Sequence, residues 1–264
     1  MFLSLSDWEL WLLVLALMGG VSLLGVLGGR FLRRHSDVDR EPFSVLQGAL
    51  LGVVGLILAF SLTLAVGRYE NRRGDVVNEA NTINTAYLRA QTMTEPRRSR
   101  SLALLRRYND LAIRISDEVP GGEAQRATAA RQQVLQRRLW GLAAEEVYAR
   151  PRGNAARLYL ESLNAMIDEQ GVRLAGLNNR VPTPVLWLEL LGAAIALGLL
   201  GLYLAVLGKG VVPIVAAAIL VSLLILVTFD LDRPTRGLIQ VPATALLAER
   251  ATMSLPPAAP APPQ

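Results

Sequence analysis

Residues 43–67 form an uncharged, apolar run that is long enough to cross a lipid bilayer. A transmembrane helix needs about 20 apolar residues, because it rises about 1.5 Å per residue across a hydrocarbon core of about 30 Å. Beyond this run the apolar residues recur at three- and four-residue steps, which is the period of a helix: Val76, Ala80, Ile83 and Tyr87. The sequence therefore predicts a membrane helix that continues as a polar, amphipathic helix.

Three further apolar runs of similar length lie at about residues 11–29, 185–207 and 211–229. With 52% hydrophobic residues gathered in such blocks, the composition is that of a membrane protein. We predict an all-α chain with four transmembrane helices and an extramembrane helical bundle inserted between the second and the third. The predicted parts are an N-terminal membrane hairpin (1–67), a helical domain (68–181), a C-terminal membrane hairpin (182–230), a juxtamembrane segment (231–255) and a disordered proline- and alanine-rich tail (256–264).

Start and stop signals divide the predicted helical domain into further helices. Thr94 is expected to cap a helix that has Pro96 in its first turn, and Pro120-Gly121-Gly122 stops that helix. Helices are also predicted at about residues 123–148 and 154–178, with Pro151-Arg152-Gly153 ending the first of them. In the membrane part, Gly208-Lys209-Gly210 predicts a tight turn between the last two spans.

The reactive residue types exclude several functions. The chain has no cysteine and a single histidine, His35, so it lacks the residues for a thiolate nucleophile, a histidine-based triad or a cysteine zinc site. We therefore predict a protein that is not an enzyme and that needs no metal or cofactor. The net charge of +5 comes from arginines spread among acidic residues. This pattern favours contact with membrane lipid over binding of nucleic acid.

Small residues form a stripe along one face of the second span: Gly48, Gly52, Gly55 and Ala59. Such a stripe lets another helix approach closely. The simpler interpretation is packing within the chain's own bundle, and the alternative is packing between subunits around a shared axis. Two similar small faces lie on the first span, one at Ala16 and Gly20 and the other at Gly25 and Gly29.

One carboxylate, Glu189, lies one turn inside the third span. A carboxylate within a membrane helix is a functional candidate, but a position so near the helix end favours a side chain that reaches the interface.

The four spans place both chain ends and the helical domain on one side, and the loops at about 30–42 and 208–210 on the other. The count of basic residues near the membrane favours a cytoplasmic helical domain, whereas the acidic N-terminus beside a basic first loop favours the reverse. The predicted location is the inner or plasma membrane, crossed several times.

Polar motifs follow the second and the fourth spans. After the second span come Arg68, Tyr69, Glu70, Arg72 and Arg73, then Asn78, Glu79, Asn81, Asn84 and Thr85. Arg106-Arg107-Tyr108 follows downstream, and the last span is followed by Asp232, Arg233, Pro234, Thr235, Arg236 and Gly237. Together these motifs resemble the bestrophin-like group of mainly bacterial membrane proteins, which is more distantly similar to the bestrophin anion channels.

The resemblance implies a homo-oligomeric channel for small anions, and a pentamer if the chain assembles as bestrophins do. It implies that Leu56, Phe60 and Thr63 line a hydrophobic neck, with Arg68 at its inner end and the following motif residues near the pore mouth. Tyr69 stands where bestrophins have a tryptophan pair, and no acidic calcium clasp is found. Calcium gating is therefore not predicted.

Each of these roles has an alternative. Leu56 and Phe60 also suit a bundle core or a lipid-facing surface. The arginines after the second span also suit lipid head groups, or pairing of Arg72 with Asp75 and Glu79 within one helix. The alternative function is a non-conducting, membrane-anchored helical protein that binds a cytosolic partner. The ion, the gating stimulus, the subunit number and any partner stay open at this level.

Overall fold

The computed structural model describes residues 7–35 and 40–260. Within these residues the chain is helical and forms eight helices: α1 (Asp7–His35), α2 (Arg40–Ala90), α3 (Arg97–Asp117), α4 (Glu123–Ala149), α5 (Asn154–Asn178), α6 (Thr183–Val206), α7 (Val212–Leu231) and α8 (Thr244–Ser254). The chain divides into two compact units. The apolar unit comprises residues up to 68 and 180–239, and the polar unit comprises residues 69–179 and those from 240 onward.

Four helical stretches among the described residues are long and apolar enough to cross a membrane: Trp8–His35, Val45–Ala90, Asn154–Val206 and Val212–Leu231. Each predicted span overlaps one of them and extends past its end by at most two residues. The all-α class with four candidate membrane helices is therefore confirmed.

The apolar unit is held together by close packing of α1 against α6. A Cβ atom on Gly25 would collide with the carbonyl group of Gly198, and one on Gly29 with the carbonyl oxygen of Leu202. The backbones of the two helices therefore touch where glycine leaves room. Because residue numbers rise together along the contact, the helices run parallel and their carboxyl ends lie side by side. The small face predicted at Gly25 and Gly29 is confirmed. Ala16 and Gly20 are exposed, and a Cβ at Gly20 would meet no described atom within 4 Å, so the face predicted there makes no such contact among the described residues.

The polar unit has its own hydrophobic core. Buried side chains from the second part of α2, from α3, α4 and α5, and from α8 meet there: Ile83, Leu105, Leu139, Tyr159, Leu163, Met166 and Leu246. Apolar residues recur at three- and four-residue steps along these helices, as do Leu102, Leu105, Tyr108 and Ala112 of α3, and therefore share one face. The segment predicted as juxtamembrane is divided, because residues up to 239 belong to the apolar unit and those from 240 to the polar unit.

Thr94 is not the cap of α3, so that prediction is wrong. The helix begins at Arg97, and its N-cap residue Pro96 makes no side-chain capping bond. The Thr94 hydroxyl instead donates to Glu146, with Oγ1 lying 2.6 and 2.9 Å from the two carboxylate oxygens. Arg97 pairs with the same carboxylate. A buried carboxylate needs such donors, and this need decides where the Thr94 hydroxyl points.

These bonds make Glu146 a source of pH-dependent stability. Burial disfavours its charged form, but donation from Thr94 and Arg97 outweighs burial and holds its pKa below the ordinary value of 4.5. The stabilisation is therefore present at neutral pH and is lost as the pH falls from 4.5 through the folded-state pKa. We expect Glu146→Gln to cost about 2 kcal/mol of unfolding free energy at pH 7.

Melting temperatures of the detergent-solubilised protein at pH 7 and pH 4 check this expectation. The loss between the two pH values should be smaller in Glu146→Gln than in the unmodified protein. Glu145→Gln, which changes the exposed neighbour, serves as the control and should keep the full loss. Equal losses in all three proteins would contradict the role given to Glu146.

The structure differs from the predicted disordered tail at Ala259. The Ala259 amide donates to Gln91 Oε1 at 2.9 Å, and its carbonyl oxygen accepts from Arg98 Nη2 at 2.9 Å. The main-chain N–H and C=O groups of Ala259 are therefore both hydrogen-bonded to side chains of the polar unit. The end of the predicted tail, residues 261–264, lies outside the described residues.

Candidate functional site

The first part of α2 buries one face and leaves the opposite face open. Val54 and Leu58 pack into the core of the apolar unit, one helical turn apart. Leu56 and Phe60, both predicted to line a pore, are 56% and 62% exposed. Thr63 is exposed on the same side, and its hydroxyl donates to the Ala59 carbonyl oxygen at 2.9 Å. The structure thus places all three predicted pore residues on a face that the chain itself leaves uncovered.

The stripe of small residues belongs to this open face. A Cβ atom added at Gly48, Gly52 or Gly55 would meet no described atom within 4 Å, and Ala59 is exposed. The interpretation that the stripe packs within the chain's own bundle is therefore wrong. The reason is that α2 contacts its own unit through larger side chains, such as Val54 and Leu58, on the other side of the helix.

The second part of α2, in the polar unit, also has an exposed face. Asn78, Asn81 and Thr85 lie on it, spaced at three- and four-residue steps. Thr85 donates to the main-chain carbonyl oxygen of Asn81 at 2.9 Å, and the side chains of Asn78 and Asn81 are exposed. Asn84 lies to the side of this face and is half-buried. These three side chains are polar and uncharged.

Glu79 is the motif residue whose position differs most from a pore mouth. It is fully buried in the polar unit, where its carboxylate pairs with Arg173 of α5. Arg173 also donates to the Ala112 carbonyl oxygen at 3.1 Å and to Ser116 Oγ at 2.6 Å. Burial, followed by the nearby Glu79 charge, raises the pKa of Tyr108 and keeps its hydroxyl protonated. Glu79 therefore joins α2 to α3 and α5.

Arg72 is likewise structural. It is buried, and its guanidinium donates to the carbonyl oxygens of Gly176 and Asn179 at 3.1 and 2.7 Å. These carbonyls lie at the carboxyl end of α5, where a cation satisfies unpaired acceptors and offsets the helix dipole. The predicted pairing of Arg72 with Glu79 is wrong, because Arg173 takes that carboxylate.

The neighbouring motif residues lie nearer the surface. Arg73 pairs with Glu70 at 3.7 Å in an exposed contact of small energetic value. Tyr69 packs against the core of the polar unit. Arg68 is half-buried, and its Nη1 has no hydrogen-bond partner among the described residues. This Nη1 atom is itself buried, while Arg73 and Arg236 are exposed.

The motif after α7 builds a turn. Asp230 accepts from the amides of Leu238 and Ile239 at 3.0 and 2.8 Å, and Asp232 accepts from the Val181 amide at 3.1 Å. Gly237 has a φ of +105°, and a Cβ there would collide with the Asp230 carboxylate. Arg233 and Pro234 are buried in this turn, while Arg236 is exposed. Sequence reasoning missed Asp230, because an aspartate at a helix end is common.

Glu189 does not reach the interface as expected. Its side chain is buried in the apolar unit, and neither carboxylate oxygen has a hydrogen-bond partner among the described residues. The electrostatic neighbours of the carboxylate are Ser61 and Asp232. The expectation failed because the position of a residue along a helix does not tell which face the neighbouring helices cover.

A family model for the Bestrophin-like domain matches residues 15–246. The chain belongs to the Bestrophin-like family. The match includes α2, the polar motif within it and the turn after α7, so the family to which the sequence motifs pointed is confirmed.

Solved structures show the same fold in this Bestrophin-like protein. Two mutant crystal structures of a bacterial bestrophin homologue from Klebsiella pneumoniae are similar with a TM-score of 0.64, at 12% and 13% identity, and each match covers 92% of this chain and 97% of that chain. A crystal structure of a membrane protein is similar with a TM-score of 0.61 at 14% identity, over 92% of this chain and 95% of that chain. A comparison with curated proteins finds no match. At such identities the likeness shows the fold alone.

Proposed function

We propose that this Bestrophin-like protein is a homo-oligomeric channel for small anions, in which the open face of α2 from each subunit surrounds a shared path. The observation that carries the proposal is the exposure of Leu56, Phe60 and Thr63 on a helix whose opposite face is buried. The stripe of small residues on the same side favours close approach of a second helix over contact with lipid alone. By analogy with bestrophins, the number of subunits is five.

The chemistry of this face suits the passage of anions. Leu56 and Phe60 form an apolar constriction, which opposes conduction when it is dry. Arg68, which is half-buried at the end of this stretch of α2, supplies positive charge beside the constriction. The polar face at Asn78 and Asn81 offers amide donors to a hydrated anion further along. In this proposal the polar unit lies outside the membrane on the cytoplasmic side, and the chain acts in transport and not as an enzyme.

The subunit number is tested by the mass of the particle purified in a mild detergent. We expect a protein mass of about five times the 28.6 kDa of one chain. A particle that contains one chain would overturn the proposal, because a single α2 cannot enclose a path. Such a particle, together with a co-purifying soluble protein, would favour the non-conducting alternative.

Conduction is tested by chloride flux from sealed liposomes that contain the protein. We expect Phe60→Ala to raise the flux severalfold and to weaken selectivity among anions, because a smaller side chain lowers the cost of wetting the constriction. Phe31→Ala is the matched control, since Phe31 of α1 is also 62% exposed but lies outside the open face of α2. The control should conduct like the unmodified protein. Identical flux in both variants would remove Phe60 from the path, and an absence of flux in every protein would reject the channel.

A further inference from the structure

A basic cavity lies in the apolar unit, away from the open face of α2. It has a volume of about 310 Å³ and lies between the carboxyl end of α1 and the turn that joins α6 to α7. Four cationic side chains line it: Arg30, Arg33, Arg34 and Lys209. None of the described residues that line this cavity is acidic. The site therefore has the charge to bind an anion.

The packing of α1 on α6 brings these cations together. Because the two helices run parallel and touch at Gly25 and Gly198, the last turns of α1 reach the turn that follows α6. That turn contains Gly208 with a φ of +70°, and a Cβ at this position would lie 2.6 Å from Arg33 Nη1. Glycine thus allows the Arg33 guanidinium to lie directly over the turn, beside Lys209.

An apolar groove continues from the basic cavity. It has a volume of about 430 Å³, lies between α1 and α7, and is lined by side chains such as Leu15, Leu23 and Ile219. The groove and the cavity share Val26, Arg30, Val211 and Ile214, so they are parts of one site. Ser22 in the groove donates its hydroxyl proton to the Met18 carbonyl oxygen at 2.7 Å, so its hydroxyl is already bonded within α1.

We infer that this site binds an anionic phospholipid, with its phosphate head group among Arg30, Arg33, Arg34 and Lys209 and an acyl chain along the groove. The apolar groove favours a lipid over a free anion, because inorganic phosphate has no apolar part that could occupy it. From Leu15 to Arg30 the groove follows α1 for about 22 Å at the helical rise. This length exceeds half of a hydrocarbon core of about 30 Å, so it accommodates a chain from one leaflet.

The position of the site fits a bilayer. The basic residues Arg33 and Arg34 lie in the last turn of α1, directly after its apolar stretch, and Lys209 lies between two apolar helices. Helix ends of this kind meet the head-group region. Each basic residue near an anionic lipid surface contributes about 1 kcal/mol to the free energy of binding. The inference does not depend on whether the protein conducts ions.

Thermal unfolding of the purified full-length protein, stripped of lipid in a mild detergent, tests the site. Phosphatidylglycerol is expected to raise the melting temperature, while phosphatidylcholine and inorganic phosphate at the same concentrations are not. Equal stabilisation by phosphatidylcholine would overturn the anionic preference. Equal stabilisation by inorganic phosphate would show that a free anion fills the cavity, which also overturns the inference.

Variants then locate the bound lipid. Arg30→Gln/Arg33→Gln is expected to weaken the affinity for phosphatidylglycerol about 25-fold, from about fivefold for each charge removed. Gly19→Leu should weaken the affinity for phosphatidylglycerol, because the new side chain would fill the groove. A Cβ at this position would meet no described atom within 4 Å, so the variant should still fold. Arg137→Gln/Arg138→Gln removes two exposed charges from α4 and should leave the affinity unchanged.

Each affinity is measured from the shift relative to the same variant without lipid, so a change in basal stability does not hide the result. If the α4 pair weakens binding as strongly as the α1 pair, the attraction follows net charge and the site is rejected. If Gly19→Leu binds phosphatidylglycerol like the unmodified protein, the groove holds no acyl chain and the inference fails.

Discussion

Arg173→Met is expected to lower the free energy of unfolding by about 3–5 kcal/mol. Methionine replaces the guanidinium with an unbranched apolar side chain and leaves the buried Glu79 carboxylate without its cation. Ser116 Oγ and the Ala112 carbonyl oxygen lose a donor as well. The loss corresponds to a decrease of roughly 10 °C in the melting temperature measured in detergent.

Two further variants separate the buried charge from the loss of packing. Arg173→Met/Glu79→Gln should recover much of the stability, because it removes the unpaired charge that the single substitution creates. Arg250→Met breaks the 3.1 Å pair with Asp110, which is exposed, and should cost less than about 1 kcal/mol. A double variant as unstable as Arg173→Met would show that the cost comes from packing and not from charge.

Gly25→Leu is expected to have the second-largest effect, a loss of about 3 kcal/mol or more with weakened α1–α6 packing. The first atom of the new side chain would collide with backbone atoms of Gly198, and backbone cannot swing aside as a long side chain does. The melting temperature in detergent should fall, and folded protein should be recovered in lower yield.

Gly28→Leu is the matched control for this prediction. It introduces the same residue three positions along α1, where a Cβ meets no described atom within 4 Å. The control should retain a melting temperature near that of the unmodified protein, since leucine also favours a helix more than glycine does. If both variants lose stability equally, helix propensity or lipid exposure governs the effect and the contact with Gly198 does not.

The local parts of the fold could be predicted from the sequence because they depend on near neighbours. Apolar length defines the spans, and the three- and four-residue spacing defines the helices of the polar unit. Pro120-Gly121-Gly122 and Pro151-Arg152-Gly153 separate α3, α4 and α5, close to the observed bounds. The glycines of α1 predicted a close helix contact for the same local reason.

The long-range pairs could not be predicted, because nothing local names the partner. Glu79 and Arg173 are 94 residues apart, and Arg72 lies more than 100 residues from the carbonyls it binds. Several arginines and carboxylates were equally plausible partners on charge alone. The stripe of small residues raised the same difficulty, since its spacing indicates that a helix approaches but not which helix. Only the structure shows that the approach does not come from the chain's own core.

The two main-chain hydrogen bonds at Ala259 determine which residue of the proline- and alanine-rich segment lies beside Gln91. Gln91 and Arg98 read only main-chain atoms there, so almost any amino acid could occupy the position. Proline is the exception, because it has no amide hydrogen to donate. The surrounding sequence, Pro256-Pro257-Ala258-Ala259-Pro260, has alanine at the residue that must donate. A shift of this segment by one residue towards the N-terminus would place Pro260 at the position of Ala259, where it could not donate to Gln91. The order of proline and alanine in this segment is therefore constrained as well as its composition.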